Sequence, residues 1–259
     1  MKIVYIGIDL FFPALRALAD NGCKIHKIFT CATDNITEFN TEIVSFAKEN
    51  KIPYTLNKIT REDIITLIEE GIECIICGGY YYRIPIVENI PMLNIHPTLL
   101  PIGRGMWPMP IIIMEGYEKS GVTIHKMEEE FDTGEILLQR EFNIADDETH
   151  KTYMDKVCNL LEDMIEELVN NFDSLYNNAL PQGTGEYFKA PDERVYTLSG
   201  DMTVKEADLI LRAFYGYECF YEDNGKKICF VYGKAVKEKK QGYKYYKLKD
   251  GYIEAIKTI

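Results

Sequence analysis

Continuous apolar blocks alternate with stretches whose apolar positions recur every three to four residues, and this alternation fills the first two thirds of the chain. Residues 2–7 read as a buried strand. In 11–21, Phe11, Leu15 and Leu18 fall on one face, which predicts a helix. A strand is expected at 24–30, a helix at 41–48 and a short strand at 52–56. The helix expected at 61–70 stops at Gly71, a natural C-cap. Residues 73–77 form a strongly apolar fourth strand and 92–96 a fifth, followed by a Pro-rich loop. A short helix is expected at 109–114, and two more strands at 121–127 and 134–141. The stretch 149–176 predicts one long amphipathic helix, with Tyr153, Val157, Leu160, Leu161, Met164 and Leu168 on its apolar side. Strands alternating with helices imply a mostly parallel, Rossmann-like α/β sheet covered by helices on both faces.

The texture changes after Leu180. Pro181-Gln182-Gly183-Thr184-Gly185 reads as a linker. A helix is expected at 203–214. Short Tyr-rich segments follow, punctuated by Asn224-Gly225, Gly233, Gly242 and Asp250-Gly251, and Asn-Gly and Asp-Gly are hairpin signals. The expectation is therefore two domains, a catalytic-sized α/β domain at 1–180 and a small β-rich domain at 190–259.

Composition narrows the class. The chain has 259 residues, 46% of them apolar and 27% charged, which suits a folded protein with a sizeable core. No apolar run approaches the roughly 18–20 residues that a membrane span needs. Residues 1–9 are too short and too soon interrupted for a signal peptide. Seven cysteines, an odd and modest number, read as reduced thiols in a cytoplasmic protein. The net charge of −12 is unevenly spread, since residues 1–189 carry 16 basic and 30 acidic side chains. That acidity disfavours non-specific binding to nucleic acid or anionic membrane.

Several familiar signals fail. Gly7 follows the first strand, but no further glycines complete a dinucleotide-binding turn, and there is no P-loop lysine. Cys74 and Cys77 are three apart on a strand and point to opposite faces, so they are expected as buried thiols rather than a redox or zinc pair. None of the four histidines sits at metal-ligand spacing, so no metal is expected. His26, His125 and His150 are expected at the surface or at strand edges.

The chemistry concentrates in Asn94-Ile95-His96-Pro97-Thr98-Leu99-Leu100-Pro101, with Gly103-Arg104-Gly105 just after and Phe131-Asp132-Thr133-Gly134 downstream. Asn94 and His96 are two apart on a strand, so their side chains leave the same face. They sit at its C-terminal end, where open α/β sheets build their sites. An amide can stabilise an oxyanion, and an imidazole can take a proton from an attacking amine. Asp132, in a Gly-bounded loop, is the candidate carboxylate to orient the imidazole. Taken alone, an N-x-H at a strand end reads first as a polar cluster before a Pro-capped turn.

The whole string, spaced before Asp132-Thr133-Gly134, resembles the signature of N10-formyltetrahydrofolate-dependent formyltransferases. The resemblance covers roughly residues 1–175 and includes Gly7, Phe11 and Leu15 and the stretch from Cys77 to Pro85. The tail is similar, more weakly, to the small OB-like domain that ends methionyl-tRNA formyltransferases, through Leu209-Ile210-Leu211-Arg212-Ala213-Phe214. The resemblance implies Asn94, His96 and Asp132 as the catalytic set, N10-formyltetrahydrofolate as cosubstrate, and no metal. It implies a folate pocket built largely from backbone, at Tyr82, Arg83 and Ile84 and along the loop from Glu128 to Asp132. The tyrosines at 80–82 are equally readable as packing around a turn.

The acceptor is then the open question. Family members that formylate glycinamide ribonucleotide end near the close of the first domain, whereas this chain continues for about 80 residues. The tRNA-acting branch inserts a basic loop after the second strand, yet residues 31–40 here carry no Lys or Arg. The first expectation is thus a nucleotide-linked amino deoxysugar as acceptor. The alternative is methionyl-tRNA with a shortened recognition loop, and a lower one is a folate-binding relative without turnover. Between Lys234 and Lys249 seven lysines face one acid, Glu238, which reads as an RNA-facing strand pair or as a solvated hairpin edge. The chain has Thr98 where the family usually has Ser, and an unusual Met106-Trp107-Pro108-Met109-Pro110 run. Trp107 could stack on a sugar or base or simply anchor the loop, and Arg104 could meet a phosphate. The second domain leaves room for a homodimer.

Overall fold

The computed structural model describes residues 1–223 and 225–258, the last two of these through their backbone alone. The turn expected at Asn224-Gly225 therefore lies partly outside the described residues. These residues divide into two compact units that interleave along the chain. The first comprises Met1–Arg104, Gly121–Phe142 and Lys156–Tyr187, and the second Gly105–Ser120, Asn143–Asp155 and Phe188–Ile259.

In chain order the elements begin with β1 (Lys2–Gly7), α1 (Phe12–Asp20), β2 (Lys24–Phe29), α2 (Thr41–Glu49), β3 (Tyr54–Thr55), α3 (Arg61–Glu69), β4 (Cys74–Gly78) and β5 (Met92–His96). They continue with β6 (Ile102–Arg104), α4 (Pro108–Met114), β7 (Lys119–Lys126), β8 (Ile136–Asn143), α5 (His150–Asn170), α6 (Phe172–Asn177) and β9 (Glu186–Tyr187). The last are β10 (Thr197–Ser199), α7 (Val204–Ala213), β11 (Cys219–Asp223), β12 (Lys226–Val236), β13 (Lys244–Lys247) and β14 (Tyr252–Thr258).

The first unit is built on a seven-stranded sheet in the order β3-β2-β1-β4-β5-β7-β8. The pairs β2–β3, β1–β2, β1–β4 and β4–β5 are parallel, and β5–β7 is antiparallel. Ile3, Val4, Tyr5 and Ile6 are all fully buried, which is why β1 reads as an unbroken apolar run rather than an alternating one. Helix α3 starts in a capping box, with Thr60 and Asp63 each accepting from the other's backbone N–H at 3.1 and 2.9 Å. It buries Ile64 and Leu67 in one core cluster with Val4, Ile6 and Ile75. Cys74 and Cys77 lie buried on β4, and desolvation pushes the Cys77 thiol up to about 12. The strand order reverses at β1/β4, so the carboxyl ends of β4 and β5 open beside a topological switch point.

One predicted element differs. The helix expected at 149–176 is two, because Asn171 leaves the helical region (φ −127°, ψ 23°) and caps α6. Its side-chain amide donates to the Glu167 carbonyl at 3.1 Å, the local competition by which Asn weakens a helix interior.

The second unit carries a five-stranded sheet in the order β10-β11-β12-β14-β13. Strands β10 and β11 pair in parallel and the remaining pairs are antiparallel. Helix α7 opens in a capping box of Thr203 and Glu206, and Asp250 accepts from the Val204 N–H at 2.7 Å. His150, expected at the surface, is only 5% exposed, with its ring 4.8 Å from that of Tyr217. Burial lowers its pKa to about 4.

Candidate active site

The site grows from the end of β5. Asn94 lies directly across the sheet from His125 on β7, and His96 from Thr123. Directly opposed residues share a face, so the antiparallel pairing delivers a second histidine to the face that carries Asn94 and His96. His125, also expected at the surface or a strand edge, is 1% exposed. Its sequence neighbourhood looks like an ordinary strand, and only the cross-strand register reveals its position.

The loop between β7 and β8 supplies the carboxylate. Gly134 permits the close approach, since a Cβ there would stand 2.0 Å from the Lys126 carbonyl oxygen. Asp132 takes the left-handed region at φ 58°, a conformation that Asp tolerates better than most residues. Its Oδ1 is 3.5 Å from His96 Nδ1, 3.5 Å from His125 Nε2 and 3.2 Å from Asn94 Nδ2. The three residues singled out in the sequence are thus together, with His125 as a fourth.

Hydrogen-bond chemistry fixes the proton positions. His96 Nε2 lies 2.7 Å from the Gly103 carbonyl oxygen, which can only accept, so Nε2 carries the proton. His96 Nδ1 is then the basic lone pair, turned toward Asp132. Desolvation lowers the His96 pKa below the ordinary value of 6.5; the Asp132 carboxylate raises it, His125 lowers it and the Gly103 bond raises it, for a net fall. The ring is therefore neutral at pH 7, able to accept a proton beside an anion that would stabilise the imidazolium.

His125 Nδ1 donates to the Lys126 carbonyl at 2.7 Å by the same reasoning, which leaves its Nε2 as an acceptor. Asn94 Nδ2 is 3.2 Å from that Nε2. Two acceptors, His125 Nε2 and Asp132 Oδ1, so face the Asn94 amide nitrogen, and they fix which end of the amide points at the cluster.

The loop after β5 is pinned by hydroxyls. Thr98 Oγ1 donates to the Ile102 carbonyl at 2.7 Å, and Thr123 Oγ1 to the Thr98 carbonyl at 2.6 Å. Gln139 Nε2 donates to Leu100 O at 2.8 Å. Arg104 donates through Nε and Nη2 to Gln182 Oε1 at 3.1 and 2.9 Å. Gln182 Nε2 in turn donates to the carbonyls of Asp132 at 3.0 Å and Gly134 at 2.6 Å. The linker-like composition around Gln182 concealed this.

The two segments implied as folate contacts are adjacent. Arg83 reaches the Glu129 carboxylate at 3.1 Å and its guanidinium lies 5.6 Å from the centre of the Phe131 ring. The Tyr82 and Phe131 rings are exposed, whereas Ile84 is buried in the core and offers only backbone. Glu128 accepts from the Thr133 hydroxyl at 3.3 Å. Trp107 belongs to the second unit, where its ring packs against Tyr217, Phe214 and Tyr196 at 5.1, 5.8 and 6.3 Å. Among the described residues, no group of three or more His, Cys, Asp and Glu could hold a metal ion, and no helix is long and apolar enough to cross a membrane.

The sequence pattern of the formyl transferase family matches residues 31–169. A methionyl-tRNA formyltransferase of Ehrlichia chaffeensis is 34% identical over 190 residues, 68% of this chain and 62% of that protein, so the match spans less than two thirds of that relative. The enzyme of the same name from Ehrlichia ruminantium is 30% identical over 242 residues, 88% of this chain and 78% of the relative. Among solved structures, the N-formyltransferase from Helicobacter canadensis, in complex with folinic acid and dTDP-3-aminofucose, matches with a TM-score of 0.64. It is 18% identical, and the match covers 100% of this chain and 99% of that one, a likeness of fold.

Proposed function

The chain belongs to the formyl transferase family, and on that premise we propose that it transfers the formyl group of N10-formyltetrahydrofolate to the amine of a nucleotide-linked amino deoxysugar. The observation that carries the chemistry is the cluster of Asn94, His96 and Asp132 at the end of β5, with a neutral imidazole whose Nδ1 faces the carboxylate. The flat, exposed rings of Tyr82 and Phe131, with the Arg83 guanidinium over the latter, suit a planar aromatic donor beside that cluster. When bound, the folate supplies an activated formyl carbon.

The chain's own residues then have distinct tasks. His96 Nδ1 takes the proton that the acceptor amine gives up as its nitrogen bonds to the formyl carbon. Asp132 stabilises the imidazolium, which gives up that proton toward N10 as the bond from N10 to the formyl carbon breaks. The Asn94 amide, held between His125 and Asp132, would stabilise the carbonyl oxygen as negative charge gathers there.

The acceptor assignment rests on charge. Between β2 and α2 the chain folds tightly around Asp34, whose carboxylate accepts from the N–H groups of Ile36, Thr37 and Glu38 at 2.8, 2.9 and 3.1 Å. This segment offers a phosphate backbone no cation, and it lies within residues 1–189, where acidic side chains outnumber basic ones by 30 to 16. The similarity to methionyl-tRNA formyltransferases favours the second reading, a charged tRNA as acceptor. The fully covered sugar-enzyme fold favours the first. Seven free thiols, five of them buried, suit a cytoplasmic setting.

The test follows the loss of N10-formyltetrahydrofolate spectroscopically with a panel of nucleotide-linked 3-amino and 4-amino sugars, and in parallel with methionyl-tRNA. Turnover with an amino sugar alone is expected. Turnover with tRNA alone, falling steeply with added salt, overturns the acceptor and leaves the chemistry standing.

A further inference from the structure

We propose that Gln182 is a positioning residue, clamping together the two loops that touch opposite nitrogens of His96. The inference rests on the reading of His96 and Asp132 as the reacting pair. One loop presents Asp132 to His96 Nδ1, and the other presents the Gly103 carbonyl to Nε2. Gln182 joins them with a single amide. Its two N–H bonds run to the carbonyls of Asp132 and Gly134, and its oxygen takes both donors from Arg104, the residue after Gly103. Gln182 is 8% exposed.

The surrounding backbone makes the clamp a strap. Leu180 pairs with Ile136 through reciprocal bonds of 2.8 and 2.9 Å. Arg104 Nη2 also donates to the Gly183 carbonyl at 3.2 Å. The Glu186 N–H donates to Pro101 O at 2.9 Å, where β9 pairs with β6. At Gly185 a Cβ would stand 2.5 Å from the Pro101 carbonyl and 2.7 Å from Arg104 Cζ, so the strap lies against the loop with no space for a side chain.

The chemistry at position 182 is specific. Only a primary amide donates to two carbonyls and accepts from a guanidinium at once. Glutamate would keep the Arg104 arm and turn a repelling oxygen toward the two carbonyls. Methionine matches the length and makes neither arm.

The experiment compares full-length Gln182→Glu and Gln182→Met with the unaltered protein. The first readout is the ring titration of His96 by nitrogen-15 NMR, assigned with His96→Gln, and it needs no acceptor. His96 faces Asp132 from the β7–β8 loop and His125 from β7, with Arg104 on the loop beyond Gly103. Releasing Asp132 removes the influence that holds the His96 pKa up, so the titration moves to lower pH in Gln182→Met, the variant that adds no charge, and by less in Gln182→Glu, whose new carboxylate opposes the shift. The second readout is turnover, where kcat falls roughly ten- to a hundredfold. A titration that stays in place in both folded variants overturns the clamp, whether or not their thermal stability drops. If the unaltered protein formylates no acceptor, the proposed activity fails, while the titration still decides the clamp.

Discussion

Replacing His125 with methionine tests whether a buried histidine can matter to the reaction without taking part in it. The substitution keeps an uncharged side chain of similar reach on β7, opposite Asn94, and removes two hydrogen bonds. One is the acceptor at 3.2 Å from Asn94 Nδ2, and the other is the donor at 2.7 Å from the Lys126 carbonyl. A bond between neutral groups contributes about 0.5–1.5 kcal/mol net, whereas one to a charged group contributes about 1.5–3 kcal/mol. The Asp132 contact, at 3.2 Å from the same nitrogen, therefore remains the larger of the two constraints on the Asn94 amide. Losing the smaller one costs about 1 kcal/mol of aim, close to a fivefold fall in kcat at about 1.4 kcal/mol per factor of ten. Stability should fall separately by about 0.5–1.5 kcal/mol, because the part-buried bond to the Lys126 carbonyl is lost. The assay is kcat at saturating formyl donor, with thermal unfolding measured alongside. A loss as large as that of Asn94→Ala would mean that His125 itself handles a proton. An unchanged kcat would mean that Asn94 needs no aiming, and either result refutes the reasoning.

Other predictions address the remaining groups. Asn94→Ala and His96→Ala should each cut turnover at least about a hundredfold in folded protein, since one oxyanion donor is worth about 3–4 kcal/mol; near-normal turnover in purified His96→Ala would sink the mechanism. Because burial holds the His96 pKa below 6.5, the limb of the kcat/KM profile that His96 contributes should lie on the acid side of 6.5, apart from any limb of the acceptor amine, and a profile with no fall on that acid side contradicts the assignment of the base. His150, depressed to about 4, stays neutral in the fold at pH values where the unfolded chain already binds its proton. Its contribution is thus complete above about 6.5 and drains away as pH falls toward 4, by about 2–3 kcal/mol at pH 4.5. Urea unfolding of His150→Phe at pH 7 and 4.5 should accordingly show a smaller acid loss than the unaltered protein, and equal losses would place the acid sensitivity elsewhere.

What the chain reveals before folding depends on how local the cause is. The strands at 2–7 and 73–77 are legible because both faces are buried, so the pattern is one unbroken apolar run. Asn94 and His96 are legible because a two-residue spacing puts two side chains on one face. His125 is not, because its place follows from an antiparallel pairing with β5 inside an otherwise parallel sheet, a fact of register between distant segments. His150 opens a helix amid polar neighbours and looks like a surface residue, until the Tyr217 ring covers it. Gln182 sits in a run of Pro, Gly and Thr whose composition signals a linker, and its three arms reach residues 48 to 78 positions away. The helix break at Asn171 was visible in principle, since two consecutive Asn residues interrupt the apolar stripe there.

Charge placement bears on the acceptor through the lysines of 234–249 as well as through the acidic stretch 1–189. Strand β13, which carries Lys244 and Lys247, is an edge strand of the five-stranded sheet. Lysines on an exposed edge guard against pairing with another chain, a role that needs no nucleic acid. Their neighbours are already engaged. Lys237 pairs with Asp250, Lys239 lies 4.5 Å from the centre of the Tyr252 ring, and Lys244 lies 5.4 Å from that of Tyr246. A phosphate-tracking surface draws its affinity from cations that release counterions on binding, and each lysine committed to an aromatic face or a carboxylate must first give up that contact. The same lysines would therefore serve a tRNA weakly at physiological salt, and a small dianionic nucleotide sugar does not require them at all.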